Sequence, residues 1–162
     1  MDSAQPSRRR VFLSYANADR EQAEKLRFLL EAHPGIEVFS TDMLSAGGDW
    51  QSKLRGELEA CDVFAVVFSP NSMTSPWVLQ ELGAAWSLDK PILSIATKRD
   101  LPAELPVPRE KTQTVNLDEL KKPEDLDRWI FSSKNKAHPL LKTAAAASAK
   151  KTGLSKKAAV AK

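Results

Sequence analysis

The fold is decided by one unbroken apolar stretch near the middle of the chain, Val63-Phe64-Ala65-Val66-Val67-Phe68. Apolar and polar residues do not alternate along it, so neither face of the strand that it predicts is suited to water. Strands covered on both faces are typical of parallel sheets that carry helices on each side. The stretch therefore predicts a central strand of a parallel sheet.

Further strands are predicted on either side of this stretch. Short apolar runs at residues 11–15, 36–39 and 91–96 predict three of them, and Thr112 to Val115 predicts an edge strand. Between most of these runs, apolar residues recur every three or four positions, which predicts helices. Alternating strands and helices predict an α/β fold, a flavodoxin-like doubly wound sheet of about five parallel strands with helices on both faces.

Several helix starts are marked by residues that cap helices. Asp19 with Gln22 three residues later resembles a capping box. Asp49 is suited to cap a second helix, and Ser75, which precedes a proline, predicts the start of a third. Pro123 is suited to begin a last helix.

Composition limits the classes of protein to which the chain can belong. It has 162 residues, one cysteine and two histidines. This length suits a single domain. One cysteine cannot form an internal disulfide, which favours a reducing, cytoplasmic location. With so few cysteines and histidines, no zinc site of standard ligand spacing is present and we expect no metal site. No apolar run approaches the ~18–20 residues that cross a bilayer, so we expect no membrane contact.

Charge and complexity divide the chain into three parts. We expect a disordered leader over residues 1–8, a folded domain over 9–135 and a basic tail rich in alanine and lysine over 136–162. The net charge is +3, but residues 138–162 contain six lysines and no acid, so the rest of the chain carries −3. The tail has too few large apolar residues to offset the entropy of ordering. It also has no aromatic residue that would stack on bases, so nucleic-acid binding is not expected.

Polar residues gather at one edge of the predicted sheet. The first three strands end near Ser14 to Asn17, Ser40 to Asp42, and Ser69 to Asn71. Open α/β sheets bind ligands outside the carboxyl ends of their strands, where the strand order reverses. Helix N-termini point to the same edge and favour anionic ligands. We therefore expect the functional site at this edge.

One predicted helix carries an aromatic ring and a carboxylate to this edge. Trp77 and Glu81 are four residues apart and therefore neighbours on the helix surface. An indole beside a carboxylate can hold a flat ring and act on the bond next to it. We expect Asp42 and Asn17 to face the same crevice.

Several common catalytic motifs are missing from the sequence. It contains no Gly-x-Gly-x-x-Gly after the first strand, no glycine loop followed by Gly-Lys-Ser or Gly-Lys-Thr, and no Gly-x-Ser-x-Gly. An aspartyl-phosphate site would need an aspartate at the end of the third strand, where Ser69 stands. The absence of these motifs argues against several classes of nucleotide-binding protein and hydrolase.

The order of the motifs resembles that of Toll/interleukin-1 receptor (TIR) domains. The first signature box of that family is similar to Val11-Phe12-Leu13-Ser14-Tyr15-Ala16, and its mobile BB loop resembles the segment from Val38 through Asp42 to Gly48. Its third-strand exit and Trp-x-x-x-Glu helix resemble residues 68–72 and 75–82. The resemblance covers about residues 8–132 and is strongest with prokaryotic TIR proteins that cleave NAD+.

The resemblance implies an NAD+ nucleosidase in which Glu81 is the catalytic residue. Such domains cleave the bond between nicotinamide and ribose and release ADP-ribose or a cyclic ADP-ribose signal. A carboxylate can stabilise the oxocarbenium character that develops on the ribose. NAD+ would then be a substrate and not a cofactor. The implied substrate-binding residues are Ala16, Asn17, Asp42 and Trp77, with Phe12, Ser14, Trp50 and Ser69 as further candidates.

The resemblance also implies partners. Activity that depends on assembly implies self-association through TIR–TIR contacts, and a signalling product implies a downstream effector protein, in antiphage defence or host interaction. Two other functions stay open. A non-catalytic adaptor would bind other TIR domains through the Gly47-Gly48 loop, and an enzyme similar to nucleoside deoxyribosyltransferases would also place a glutamate at a glycosidic bond.

Overall fold

The protein folds around one sheet of five parallel strands in the order β2-β1-β3-β4-β5. The computed structural model describes residues 8–44, 47–98 and 112–131. The expected leader, except residue 8, and the expected basic tail lie outside these residues. The strands are β1 (Arg9–Ser14), β2 (Ile36–Ser40), β3 (Val63–Phe68), β4 (Ile92–Ala96) and β5 (Thr112–Asn116). This arrangement confirms the predicted flavodoxin-like α/β sheet, with β5 at its edge.

Helices cover both faces of the sheet. They are α1 (Arg20–Ala32), α2 (Trp50–Ala60), α3 (Pro70–Thr74), α4 (Pro76–Ser87) and α5 (Asp127–Ile130). Short 3-10 turns precede α1 and α5 and follow β2 and β5. None of the helices in the described ranges is long and apolar enough to span a membrane.

The sheet separates two hydrophobic cores because successive strand residues point to opposite faces. On one face, Val11 and Leu13 of β1 pack with the buried residues of α1 and α5. On the other, Phe12 and Phe64 pack with α2 and α4. All six residues of β3 are buried, as its apolar sequence predicts.

Two of the predicted helix caps are confirmed. The Asp49 carboxylate accepts a hydrogen bond from the Ser52 backbone N–H at 3.2 Å and caps α2. The Ser75 hydroxyl accepts one from the Val78 backbone N–H at 3.4 Å and caps α4. Pro123 begins a 3-10 turn that leads into α5, so the last helix is shorter than its sequence suggests.

The predicted capping box at Asp19 is wrong, and one helix was not predicted. Asp19 occupies the N-cap position of α1, but its side chain makes no capping hydrogen bond. Its carboxylate instead accepts hydrogen bonds from Ser69 and Asn71, which lie 50 and 52 residues further along the chain. The unpredicted helix α3 is a single turn, held by a capping box between Ser69 and Ser72.

Candidate functional site

A cleft of about 730 Å³ separates α2 from α4. Its volume is in the range of pockets that bind small molecules. Residues spaced three or four apart line it on each helix, as expected for two helix faces that oppose one another. The lining residues are Asp49, Trp50, Gln51, Ser52, Leu54, Arg55, Leu58 and Glu59 on one side and Trp77, Gln80, Glu81, Ala84, Ser87 and Leu88 on the other.

Glu81 is the buried acid of this cleft. It lies on the face of α4 that packs against the sheet, and only 2% of its surface is exposed. The Ser14 hydroxyl, fully buried at the end of β1, donates a hydrogen bond to Oε2 of Glu81. The other carboxylate oxygen, Oε1, has no hydrogen-bond partner among the described residues. One oxygen is thus fixed by the sheet, and the other is available to a ligand.

The environment of Glu81 raises its pKa to about 7, from the ordinary value of 4.5. Burial is the main cause, because it disfavours the charged form. The Ser14 hydroxyl and the Trp77 indole N–H act in the opposite direction and lower the pKa. The indole does so without reaching the geometry of a full hydrogen bond to the carboxylate. Near neutral pH Glu81 therefore exists in both the protonated and the ionised form.

Two tryptophans lie side by side in the lining of the cleft. The ring centroids of Trp50 and Trp77 are 5.5 Å apart, and the ring planes are tilted by 43°. The two rings come from the first turns of α2 and α4, whose N-termini both lie at the carboxyl edge of the sheet. Adjacent indoles offer a surface on which a planar ring can stack. The structure therefore brings Trp50, Trp77 and Glu81 together.

Asp42 does not line this cleft. Its carboxylate accepts a hydrogen bond from Arg27 of α1 at 2.9 Å and another from the Ser40 hydroxyl. These contacts, together with one from Tyr15, hold the pKa of Asp42 below its usual value in spite of partial burial. Tyr15 and α1 belong to the opposite face of the sheet from Glu81. The expected position of Asp42 in the same crevice as Glu81 is therefore corrected to the other side of the sheet, whereas substrate binding by Asp42 stays a prediction.

Ser69 takes part in a buried polar network at the ends of β1 and β3. Its hydroxyl donates to Asp19, and Asn71 donates to the same carboxylate at 2.9 Å. The Ser69 hydroxyl also accepts a hydrogen bond from the Ser72 backbone N–H at 3.0 Å. The Ser69 hydroxyl thus joins the segment that follows β1 to the segment that follows β3. It does not line the cleft.

The remaining candidates lie at or below the end of β1. Phe12 is fully buried, with its ring centroid 5.3 Å from that of Phe39 and 5.5 Å from that of Phe64. Ala16 is buried in the same core, and Asn17 is exposed in the 3-10 turn that follows. Phe12 and Ala16 thus pack the core under the site. Substrate binding by Asn17 stays a prediction.

The sequence interpretation missed the polar residues that α2 contributes to the cleft. Arg55 and Glu59 line it, as does Gln51. Their only sequence signal is the four-residue spacing from Gln51 to Arg55 and from Arg55 to Glu59, which places them on one helix face. The described residues contain no group of three or more histidine, cysteine, aspartate or glutamate side chains that would hold a metal ion.

Comparisons with known proteins agree with this architecture. The family model described as "TIR domain" matches residues 11–130. The TIR domain of the Toll-related receptor TRR-2 from Hydra magnipapillata is 22% identical, with a TM-score of 0.55 over 75% of this chain and 90% of that chain. Clostridium botulinum CMP N-glycosidase BcmB is 25% identical, with a TM-score of 0.48 over 67% of this chain and 88% of that chain. No curated protein matches the sequence.

The family match covers most of the chain and includes every strand and helix of the doubly wound sheet except the first residues of β1. The shared fold with the Hydra domain is that of the same family. The chain therefore belongs to the TIR-domain family.

Proposed function

We propose that this TIR domain cleaves the bond between nicotinamide and ribose in NAD+, with Glu81 as the catalytic residue. The observation that carries the proposal is the state of the Glu81 carboxylate. Oε2 is fixed by Ser14, and Oε1 is buried without a partner among the described residues, beside a cleft lined by two indoles. A buried oxygen without a partner is costly in a folded protein, and such groups are concentrated at functional sites.

The chemistry requires a negative charge beside the ribose. When the bond between C1′ and the pyridinium nitrogen breaks, its electron pair goes to the nicotinamide, which becomes neutral. The ribose takes on oxocarbenium character, which an ionised Glu81 stabilises electrostatically. Water then adds to C1′ and loses a proton, which gives ADP-ribose. Attack by a nitrogen of the adenine in place of water gives a cyclic product.

The raised pKa of Glu81 suits this reaction. The protonated form avoids an isolated buried charge, because burial is the main cause of the raised pKa. A pyridinium ring carries a positive charge, so its entry favours the ionised carboxylate. We infer that NAD+ binding and turnover increase as the pH rises through about 7.

The test compares Glu81→Gln with wild type at high protein concentration. Gln keeps the size and one acceptor oxygen for Ser14 but cannot become negative, so we expect NAD+ turnover to fall by about 100-fold or more. Glu24→Gln, an exposed carboxylate on α1, is the matched control and keeps its activity. Chromatography and mass spectrometry identify nicotinamide, ADP-ribose and any cyclic product. The proposal is contradicted if wild type consumes no NAD+, or if wild type and Glu81→Gln consume it at the same rate.

The same preparations separate the other functions that the sequence left open. Deoxynucleosides offered beside NAD+ reveal a glycosyl-transferring enzyme by exchange of their bases. A non-catalytic adaptor would bind other TIR domains equally well with Glu81→Gln and lose binding on changes at Gly47 and Gly48. Self-association, an effector that senses the product, and a role in antiphage defence or host interaction stay predictions. Light scattering over a range of concentrations tests the first of them.

A further inference from the structure

One basic side chain, Arg55, lines the cleft between α2 and α4. The other charged residues of the lining are the acids Asp49, Glu59 and Glu81. An anionic group that enters the cleft would therefore meet repulsion from most of the charged lining. Arg55 is the position in the described lining at which a phosphate gains a favourable contact.

Among the described residues the Arg55 side chain has no ion pair and no hydrogen bond. Other arginines are held by carboxylates, such as Arg10 by Glu57 at 2.6 Å and Arg27 by Asp42 at 2.9 Å. Glu59 follows Arg55 by one helical turn, but no ion pair joins them in the described part of the chain. Arg55 also does not contribute to the pKa of Glu81, so its guanidinium is not paired with that carboxylate. The Arg55 side chain lies exposed in the lining of the cleft.

The helix register places Arg55 and Glu81 at similar depths along the cleft, on α2 and α4 respectively. The contact between Trp50 and Trp77 aligns the first turns of α2 and α4. Arg55 follows Trp50 by five residues and Glu81 follows Trp77 by four, which is about 7.5 Å and about 6 Å along the two helix axes. The backbone positions of Arg55 and Glu81 therefore lie at nearly the same depth, one on each of the two helices that line the cleft.

We propose that Arg55 binds the phosphate attached to the reacting ribose and thereby makes the site selective for nucleotides over nucleosides. The proposal rests on the proposed function, since it takes the ribose beside Glu81 as the reacting group. In a nicotinamide nucleotide, the sugar that carries the base at C1′ carries the phosphate at C5′. With C1′ at Glu81, the phosphate lies across the cleft, on the wall formed by α2. Arginine binds phosphate oxygens with paired, charge-assisted hydrogen bonds.

Binding is measured first, without turnover. The Glu81→Gln protein is titrated with NAD+ by calorimetry, alone and combined with Arg55→Gln. We expect Arg55→Gln to weaken NAD+ binding by about 10- to 100-fold, as for the loss of a charge-assisted contact, and to reduce the dependence of binding on salt. Arg55→Lys keeps the charge and restores part of the affinity. Lys53→Gln removes an exposed charge from α2 outside the cleft lining and is the control, with an expected change of less than about twofold.

Turnover is measured second, in protein that keeps Glu81. Arg55→Gln is expected to lower kcat/KM for NAD+ at least about tenfold more than it lowers kcat/KM for nicotinamide riboside, which has no phosphate. The proposal is overturned if the parent protein binds no NAD+, if Arg55→Gln and Lys53→Gln have equal effects, or if NAD+ and the riboside are affected equally. Binding that depends on Arg55 without any turnover in wild type would instead refute the proposed reaction and leave the phosphate site standing.

Discussion

Replacement of Glu81 by Gln should change how the stability of the domain depends on pH. Glu81 has a pKa of about 7 in the folded protein, against 4.5 for the group in water. Between these values the folded state binds a proton that the unfolded state releases, so the wild type loses stability as the pH rises. The shift corresponds to about 3 kcal/mol in total. Gln does not titrate, so the variant lacks this loss.

The measurement is urea unfolding followed by tryptophan fluorescence at several pH values from 4 to 8. At each pH the free energy of unfolding of wild type is subtracted from that of Glu81→Gln, so a constant effect of the substitution does not contribute to the trend. We expect this difference to move in favour of the variant by about 3 kcal/mol between pH 4.5 and pH 8, most of it below pH 7. Glu24→Gln shows the effect of removing an exposed carboxylate.

A difference that stays constant across this range would refute the reasoning. It would mean that the Glu81 carboxylate is as well solvated in the folded protein as in the unfolded chain. The buried position of Glu81 and the unpartnered Oε1 would then not describe the protein in solution. A trend of opposite sign would show that a positive group stabilises the ionised form in the folded state.

Three further substitutions test other contacts. The Ser14 hydroxyl lowers the pKa of Glu81, so Ser14→Ala should raise that pKa and move the rise of activity with pH to higher pH. An unchanged pH–rate profile would contradict this role. Asp19→Ala leaves the buried Ser69 hydroxyl and the exposed Asn71 amide without their acceptor and should lower the free energy of unfolding by about 1–3 kcal/mol in urea, mainly through Ser69. Arg27→Met breaks a partly exposed ion pair and should cost less than about 1 kcal/mol in the same assay; a loss several times larger would show that the contact with Asp42 does more than the structure implies.

The features that the sequence predicted correctly are local. The apolar run of β3 and the capping residues Asp49 and Ser75 act on neighbouring residues, so their signals are complete within a few positions. The pairing of Trp77 with Glu81 follows from helical spacing alone. Each of these predictions needed no knowledge of distant parts of the chain.

The features that the sequence did not reveal depend on distant contacts. Asp19 has the spacing of a capping residue, but Ser69 and Asn71 of another chain segment take up its carboxylate. Asp42 lies at the correct edge of the sheet, but its contact with Arg27 holds it toward the opposite face from Glu81. The position of a residue at the end of a strand determines which edge of the sheet it reaches. The side chains that it contacts determine on which face of the sheet it lies.

The two sides of the cleft, α2 and α4, differ in how they are attached to the sheet. The Glu81 carboxylate is tied to the sheet through β1, while Trp50 opposes Trp77 from the first turn of α2, directly after the Gly47-Gly48 turn with its positive φ angles of 107° and 80°. A shift of that turn would move one aromatic wall and leave the acid in place. For the proposed reaction this means that the surface on which a ring would stack can be adjusted without displacing the carboxylate.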